Sequence, residues 1–219
     1  MGKGADTRER ILEIAEASVL AKGFGATSID EIIAEAGITK SGFFYHFRDK
    51  NELARDMLRR YVAEDNRILD EIFARAADLS DDPLQAFLIG LKLFAETLAD
   101  LPNGHPGCII ASVCYQERLF DREVVEINRQ AVEGLNDRFR RYLEAVASVY
   151  APREPVDLDA LAEMVTCIID GGIIMAKVMK DPQRLPNQLL AFRSFVKLLF
   201  SEPATAALHV PARAAIAAE

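Results

Sequence analysis

Apolar side chains recur every three or four residues along most of the chain. That spacing lines one face of an α-helix. Ile11, Ile14, Ala15, Ser18 and Val19 form the first stripe, on a segment that opens near Asp6 and stops at Gly23. Asp6 and Glu9 fit an N-cap and its partner three residues on. Ile29, Ile32, Ile33 and Ala36 repeat the design, with Ser28 and Glu31 as a capping box and Gly37 as the stop. A third helix, only two turns long, runs from Thr39 as N-cap to about His46. A fourth starts at the Asp49-x-x-Glu52 cap and carries Leu53, Met57, Tyr61 and Ile68 to about Ala76.

The later helices are longer. Residues 83–100 carry Phe87, Leu91, Phe94 and Leu98, and a Pro- and Gly-rich loop follows. A short apolar piece spans Cys108 to Gln116. Residues 122–149 are amphipathic through Val124, Ala131, Leu135, Phe139 and Tyr142. Residues 158–179 are apolar on more than one face, and 187–201 carry Leu189, Phe192, Val196 and Leu199. No strand pattern or internal repeat stands out. The expected architecture is all-α with about nine helices: a small N-terminal module (1–52), a larger helical domain (53–202) and a frayed tail rich in small residues (203–219).

Composition narrows the class. The 219 residues are 50% hydrophobic, enough for a real core, and the formal charge is −8. Residues 1–60 hold ten basic and ten acidic side chains, so the rest of the chain carries the whole excess. A front module less acidic than its body suits one that approaches an anion. Cys108, Cys114 and Cys167 form no metal-type cluster and cannot all pair, which favours a reducing cytoplasm. No apolar leader and no membrane-length run appear. Paired carboxylates, a nucleophile elbow and a phosphate loop are all lacking, so neither an enzyme nor a cofactor is expected.

The stretch Lys40-Ser41-Gly42-Phe43-Phe44-Tyr45-His46-Phe47 mixes aromatics with polar groups on one short helix. On a helical wheel Phe43 and Phe47 share a face that can cover the first helix, while Lys40, Ser41, Phe44 and Tyr45 face away. Two helices joined tightly at Gly37 are the helix-turn-helix arrangement, whose second helix enters the major groove of DNA. Gly42 would let the backbone approach a partner closely.

Residues 21–53, AKGFGATSIDEIIAEAGITKSGFFYHFRDKNEL, resemble the N-terminal domain of the tetracycline-repressor (TetR) family of bacterial transcription regulators. Matching positions are Gly23, Phe24, Thr27, Ser28, Ala36, Gly37, His46, Phe47, Asp49, Lys50 and Leu53. One departure is Phe44, where the family usually has a tyrosine; Tyr45 carries the hydroxyl instead. By position, the resemblance implies that Thr27, Ser28, Tyr45 and Lys50 hold phosphates. Thr39, Lys40, Ser41, Gly42 and Phe43 or Phe44 would face or flank bases; His46 joins this DNA-binding set, or instead packs between the first and fourth helices and orients the motif.

The resemblance further implies operator DNA as partner, a homodimer built from the last two helices and a small-molecule effector. Ile169, Gly172, Ile173, Phe192, Phe195 and Leu199 are the expected dimer contacts. The apolar excess of residues 161–179 and the Gly171-Gly172 pair point the same way. Phe87, Leu91, Phe94, Cys108, Ile109, Val113, Tyr115, Glu117 and Phe120 are the expected pocket residues, suited to an apolar or aromatic effector with one polar handle. Two alternatives stand beside a ligand-released repressor. One is an oxidant or electrophile sensor using Cys108, whose place at a helix start would lower its pKa. The other is an interaction module that keeps the fold without DNA binding.

Overall fold

The computed structural model describes residues 3–201. The expected tail, 203–219, lies outside them. The described residues form nine α-helices and no strand: α1 (Lys3–Lys22), α2 (Ile29–Ala36), α3 (Lys40–His46), α4 (Lys50–Leu79), α5 (Pro83–Ala99), α6 (Ile109–Tyr115), α7 (Arg122–Ala147), α8 (Leu158–Met179) and α9 (Arg184–Phe200). One 3-10 turn, Glu117–Leu119, follows α6. No described helix is long and apolar enough to cross a membrane.

Local chemistry sets the ends. Ser28 and Glu31 form the reciprocal capping box of α2 at 3.1 Å in each direction. Gly37 ends α2 in the left-handed region, φ 63, where a β-carbon is strained. Thr39 Oγ1 accepts from the Gly42 N–H at 3.1 Å to open α3, and Asp49 accepts from the Glu52 N–H at 2.8 Å to open α4. Two helix starts differ from expectation. Helix α1 starts at Lys3, so Asp6 sits inside its first turn rather than capping it. Helix α9 starts at Arg184, because Pro186 is tolerated within a first helical turn.

The helices bury two cores. The head core joins Ile11, Leu12, Ala15 and Val19 of α1 to Ile32, Phe43, Phe47, Leu53, Met57 and Leu58. The body core joins Leu69, Ile72 and Phe73 of α4 to α5, α7, α8 and α9. Helix α4 is continuous through residues 52 and 53 and belongs to both. Ile109 and Val113 of α6 and Val124 of α7 pack into the head core rather than the body. The front and rear modules are thus interlocked where they meet.

An aromatic stack braces the body. Phe73 lies 4.4 Å from Tyr142 at 15°, 6.2 Å from Phe87 at 29°, and meets Phe139 edge-on at 5.8 Å. Gly90 lets α5 close on this stack: a β-carbon there would sit 2.4 Å from Phe73 Cε1. The ring is held on several sides and cannot swing clear. Gly90→Ala gains about 1 kcal/mol of helix propensity, against an overpacking cost of about 1–3 kcal/mol. A net loss of stability is expected, read as a lower urea midpoint at unchanged slope. A raised midpoint would mean that the stack yields.

Candidate nucleic-acid interface and cavity

The short helix α3 divides its aromatics by face. Phe43 and Phe47 are 0% exposed, ring centroids 5.7 Å apart, and fix α3 onto the head core. Full burial of each stabilises the head by about 1.5–3 kcal/mol. Tyr45 is 83% exposed and Phe44 44%, the latter braced edge-on against Phe43 at 5.4 Å. Thr39, Lys40 and Ser41 are exposed beside them, and Ser28 is exposed at the start of α2. His46 is half-buried, its ring edge-on to Tyr45 at 5.0 Å. The result is an open face carrying hydroxyls, one ammonium and two aromatic rings. Such groups can bond phosphate oxygens and touch thymine methyls and sugars.

Three residues expected at this face lie elsewhere. Phe43 is core, so it cannot touch a base while the head stays folded. Thr27 is 1% exposed, and its hydroxyl donates to the Gly23 carbonyl and meets Ser18 Oγ, both at 3.0 Å. Lys50 folds inward: its ammonium donates to the Phe24 carbonyl at 2.6 Å and stands 4.2 Å from the centre of the Phe24 ring. Burial lowers its pKa. The buried faces of Phe43 and Thr27 follow from packing against α1. The lysine's inward fold has no counterpart in helical periodicity.

Phe24 leads from the head to the body. Its ring lies 4.3 Å from Phe120, just after the 3-10 turn. Nearby, Gly25 N–H donates to Gln116 Oε1 at 2.9 Å. The Arg55 guanidinium of α4 pairs with Asp121 at 2.5 Å and Glu123 at 3.4 Å, at the start of α7. The Asp121 N–H donates to Asn51 Oδ1 at 3.2 Å.

Behind this junction is a cavity of about 280 Å³. Its walls come from α1 (Glu16, Leu20), α4 (Tyr61 to Leu69), α5 (Phe94, Thr97, Leu98), the loop before α6 (His105, Pro106, Cys108), α6 (Ile110), α7 (Ala131, Val132, Leu135) and α8 (Thr166, Ile169, Asp170, Ile173). Of the expected pocket residues it takes in Phe94 and Cys108. Phe87 and Leu91 are body core, and Ile109 and Val113 are head core. Phe120 packs tilted against Phe24, Tyr115 is 79% exposed, and Glu117 faces solvent. Helix α6 therefore turns Ile109 and Val113 into the head core and only Ile110 toward the cavity.

The alternative of a thiol sensor requires Cys108 to be activated by its helix terminus. Its Sγ does accept the Ala111 N–H at 3.4 Å. Burial, and then the Asp170 carboxylate beside it, nevertheless push the thiol up to about 12. It stays protonated and weakly nucleophilic across neutral pH. No group of three or more potential metal ligands exists among the described residues.

The expected dimer residues also divide. Ile169 and Ile173 line the cavity, Gly172 faces Leu185 of α9, and Phe192 and Leu199 are body core. Phe195 alone points outward, at 44% exposed. The outward apolar side chains of α8 and α9 are instead Met164, Ile174, Met175, Val178, Leu190 and Leu198.

Comparison with known proteins places these features. The family model "Bacterial regulatory proteins, tetR family" matches residues 11–57, covering α2, α3 and the start of α4. The chain is 25% identical over 193 residues to the uncharacterized HTH-type transcriptional regulator YxaF of Bacillus subtilis, spanning 87% of this chain and 94% of that one. It is 32% identical over 109 residues to the HTH-type transcriptional repressor KstR2 of Mycobacterium tuberculosis, about half of each chain. A TetR-family regulator structure from Agrobacterium tumefaciens superposes with a TM-score of 0.74 at 20% identity, over 91% of this chain and all of that one.

Lys40 is free on the open face and Lys50 is engaged inside. Lys40→Ala is expected to reduce the salt slope of DNA binding by about one. Lys50→Ala is expected to leave that slope unchanged and lower the melting temperature. A slope change at Lys50 would mean that its ammonium leaves Phe24 for phosphate.

Proposed function

Because the chain belongs to the TetR family of bacterial transcription regulators, we propose that it is an operator-binding repressor released by a small effector in the cavity behind its head. The head (near residues 1–52) presents Ser28, Thr39, Lys40, Ser41, Phe44 and Tyr45 to double-stranded DNA. Ser28 and Tyr45 bond phosphate oxygens, and Lys40 and Phe44 reach into the groove. One two-turn helix reads too few base pairs, so two copies act together on a pseudo-palindrome, about 34 Å apart. The proposed site of action is cytoplasmic DNA.

The observation that carries the reading is the position of the cavity along α4. Leu53, Met57 and Leu58 anchor that helix in the head core, Leu69, Ile72 and Phe73 anchor it in the body core, and Tyr61 to Leu69 wall the cavity between them. A ligand that wedges the middle of α4 must tilt one anchored end against the other. DNA is released when the ligand prefers the tilted state. The mainly apolar walls suit a compact, largely apolar effector. The high pKa of Cys108 favours this reversible route over a thiol switch.

The outward face of α8 and α9 supports a homodimer, since side chains such as Val178 and Leu198, 71% and 63% exposed, are costly in water. Met175→Glu with Leu198→Glu is expected to give monomers in sedimentation, because each charge buried in the interface costs several kcal/mol. Dimers that persist with both changes would put the interface on another face.

The switch itself is tested by a side chain that occupies the cavity permanently. Ala131→Phe, from α7, is expected to weaken binding to a selected operator duplex by about tenfold or more, with dimer and helix content unchanged. Unchanged affinity would break the link between cavity and head.

A further inference from the structure

The polar groups of the cavity are one-sided in charge. No lysine or arginine is among its lining residues, while Glu16, Asp65 and Asp170 are. Glu16 pairs with Arg60 at 2.5 Å, a guanidinium it shares with Glu9 and Glu13. Asp170 accepts the Cys108 thiol, feels His105 as its nearby basic group, and lies outside the lysine and arginine ion pairs of the described residues. Asp65, in the middle of α4, likewise makes no ion pair among the described residues, whereas its α4 neighbour Glu64 pairs with Arg67. It occupies the i+4 slot after Tyr61 on the cavity stripe of α4.

We infer that the effector is an organic cation: an ammonium-type charge on an apolar or aromatic body, seated against Asp65 and Asp170. This rests on the reading of the cavity as the effector site. An anion would be repelled by both carboxylates. A neutral apolar molecule would strip water from Asp65 and return nothing to it, which is costly for any charged group. A cation replaces that water with an opposite charge in a partly desolvated site, where the attraction exceeds its value in bulk water. The rings of Tyr61 and Phe94 in the same wall add cation–π attraction.

Asp65 already carries the strain that a cation would relieve. Asp65 keeps part of its surface exposed, yet desolvation and then Glu16 and Glu64 push its carboxyl up to about 7. The groups that face it are Glu16 from α1, Tyr61 and Glu64 from α4, His105 and Cys108 from the segment before α6, and Asp170 from α8. Helices α5 and α7 contribute only uncharged side chains. His105 cannot serve as the resident cation near neutrality, because burial and then Lys177 lower its pKa. Below pH 7 the folded protein holds a proton on Asp65 that a bound cation must displace, so affinity for a permanent cation rises as pH rises through 7.

The test uses calorimetry on the full chain with two probes of one shape. Benzyltrimethylammonium carries a charge that does not titrate, and neopentylbenzene is its neutral isostere. At pH 8 the cation is expected to bind about tenfold tighter or more, and to weaken several-fold at pH 6. Asp65→Asn, nearly isosteric, is expected to remove most of that preference and the pH dependence while leaving neopentylbenzene within about twofold; Asp170→Asn does so in part. Equal or tighter binding of the neutral probe, or an unchanged cation affinity in folded Asp65→Asn, overturns the charge assignment and leaves the effector cavity standing. Binding of neither probe overturns both.

Discussion

The structure depends on one helix being anchored twice. Leu53, Met57 and Leu58 of α4 sit in the core that α1, α2 and α3 build, and Leu69, Ile72 and Phe73 sit in the core of the body. Neither end can move without repacking side chains that are almost fully buried, and close-packed cores resist that. The stretch between the anchors borders the cavity instead, with Tyr61 and Ile68 only partly buried. Motion is therefore concentrated where a ligand can act, and its consequences appear at the DNA-reading face.

The junction beside α4 makes the coupling more than a single hinge. Phe24 links the ammonium of Lys50 to the ring of Phe120, and Gln116 holds the backbone of Gly25. Arg55, 9% exposed, ties α4 to the first turn of α7 through Asp121. A displacement of α6 or of the 3-10 turn thus reaches the loop between α1 and α2 directly. The surface ion pairs elsewhere, such as Arg129 with Glu126 and Glu133, are exposed i,i+3 and i,i+4 contacts and contribute little beyond helix support.

The head was legible in the sequence because its signals are local. Capping at Ser28 and Thr39, the stop at Gly37 and the wheel that separates Phe43 from Phe44 all act within a few residues. The cavity and the dimer face were not, because they depend on which side of a helix a distant neighbour covers. Ile169 and Phe192 are apolar whether they face a partner, a core or a void. One signal was present and unused: Asp65 falls on the stripe of Tyr61 and Ile68, where a carboxylate in an apolar row marks something other than core. Thr166, Ile169, Asp170 and Ile173 repeat it on α8. Lys50 misled for the opposite reason, since its place at a helix start suits an anion equally well whether its side chain points out or folds onto Phe24.

The central claim is that occupancy of the cavity moves the two heads of a dimer relative to each other. The most direct measurement is the distance between them. A nitroxide placed at Glu35→Cys on α2, with Cys114 and Cys167 replaced by serine, reports it through electron–electron dipolar spectroscopy. The distribution for the chain carrying Ala131→Phe is expected to shift by several ångströms from that of the otherwise unchanged chain, which should match the spacing seen on operator DNA. Superimposable distributions, with the cavity filled and empty, would contradict the account.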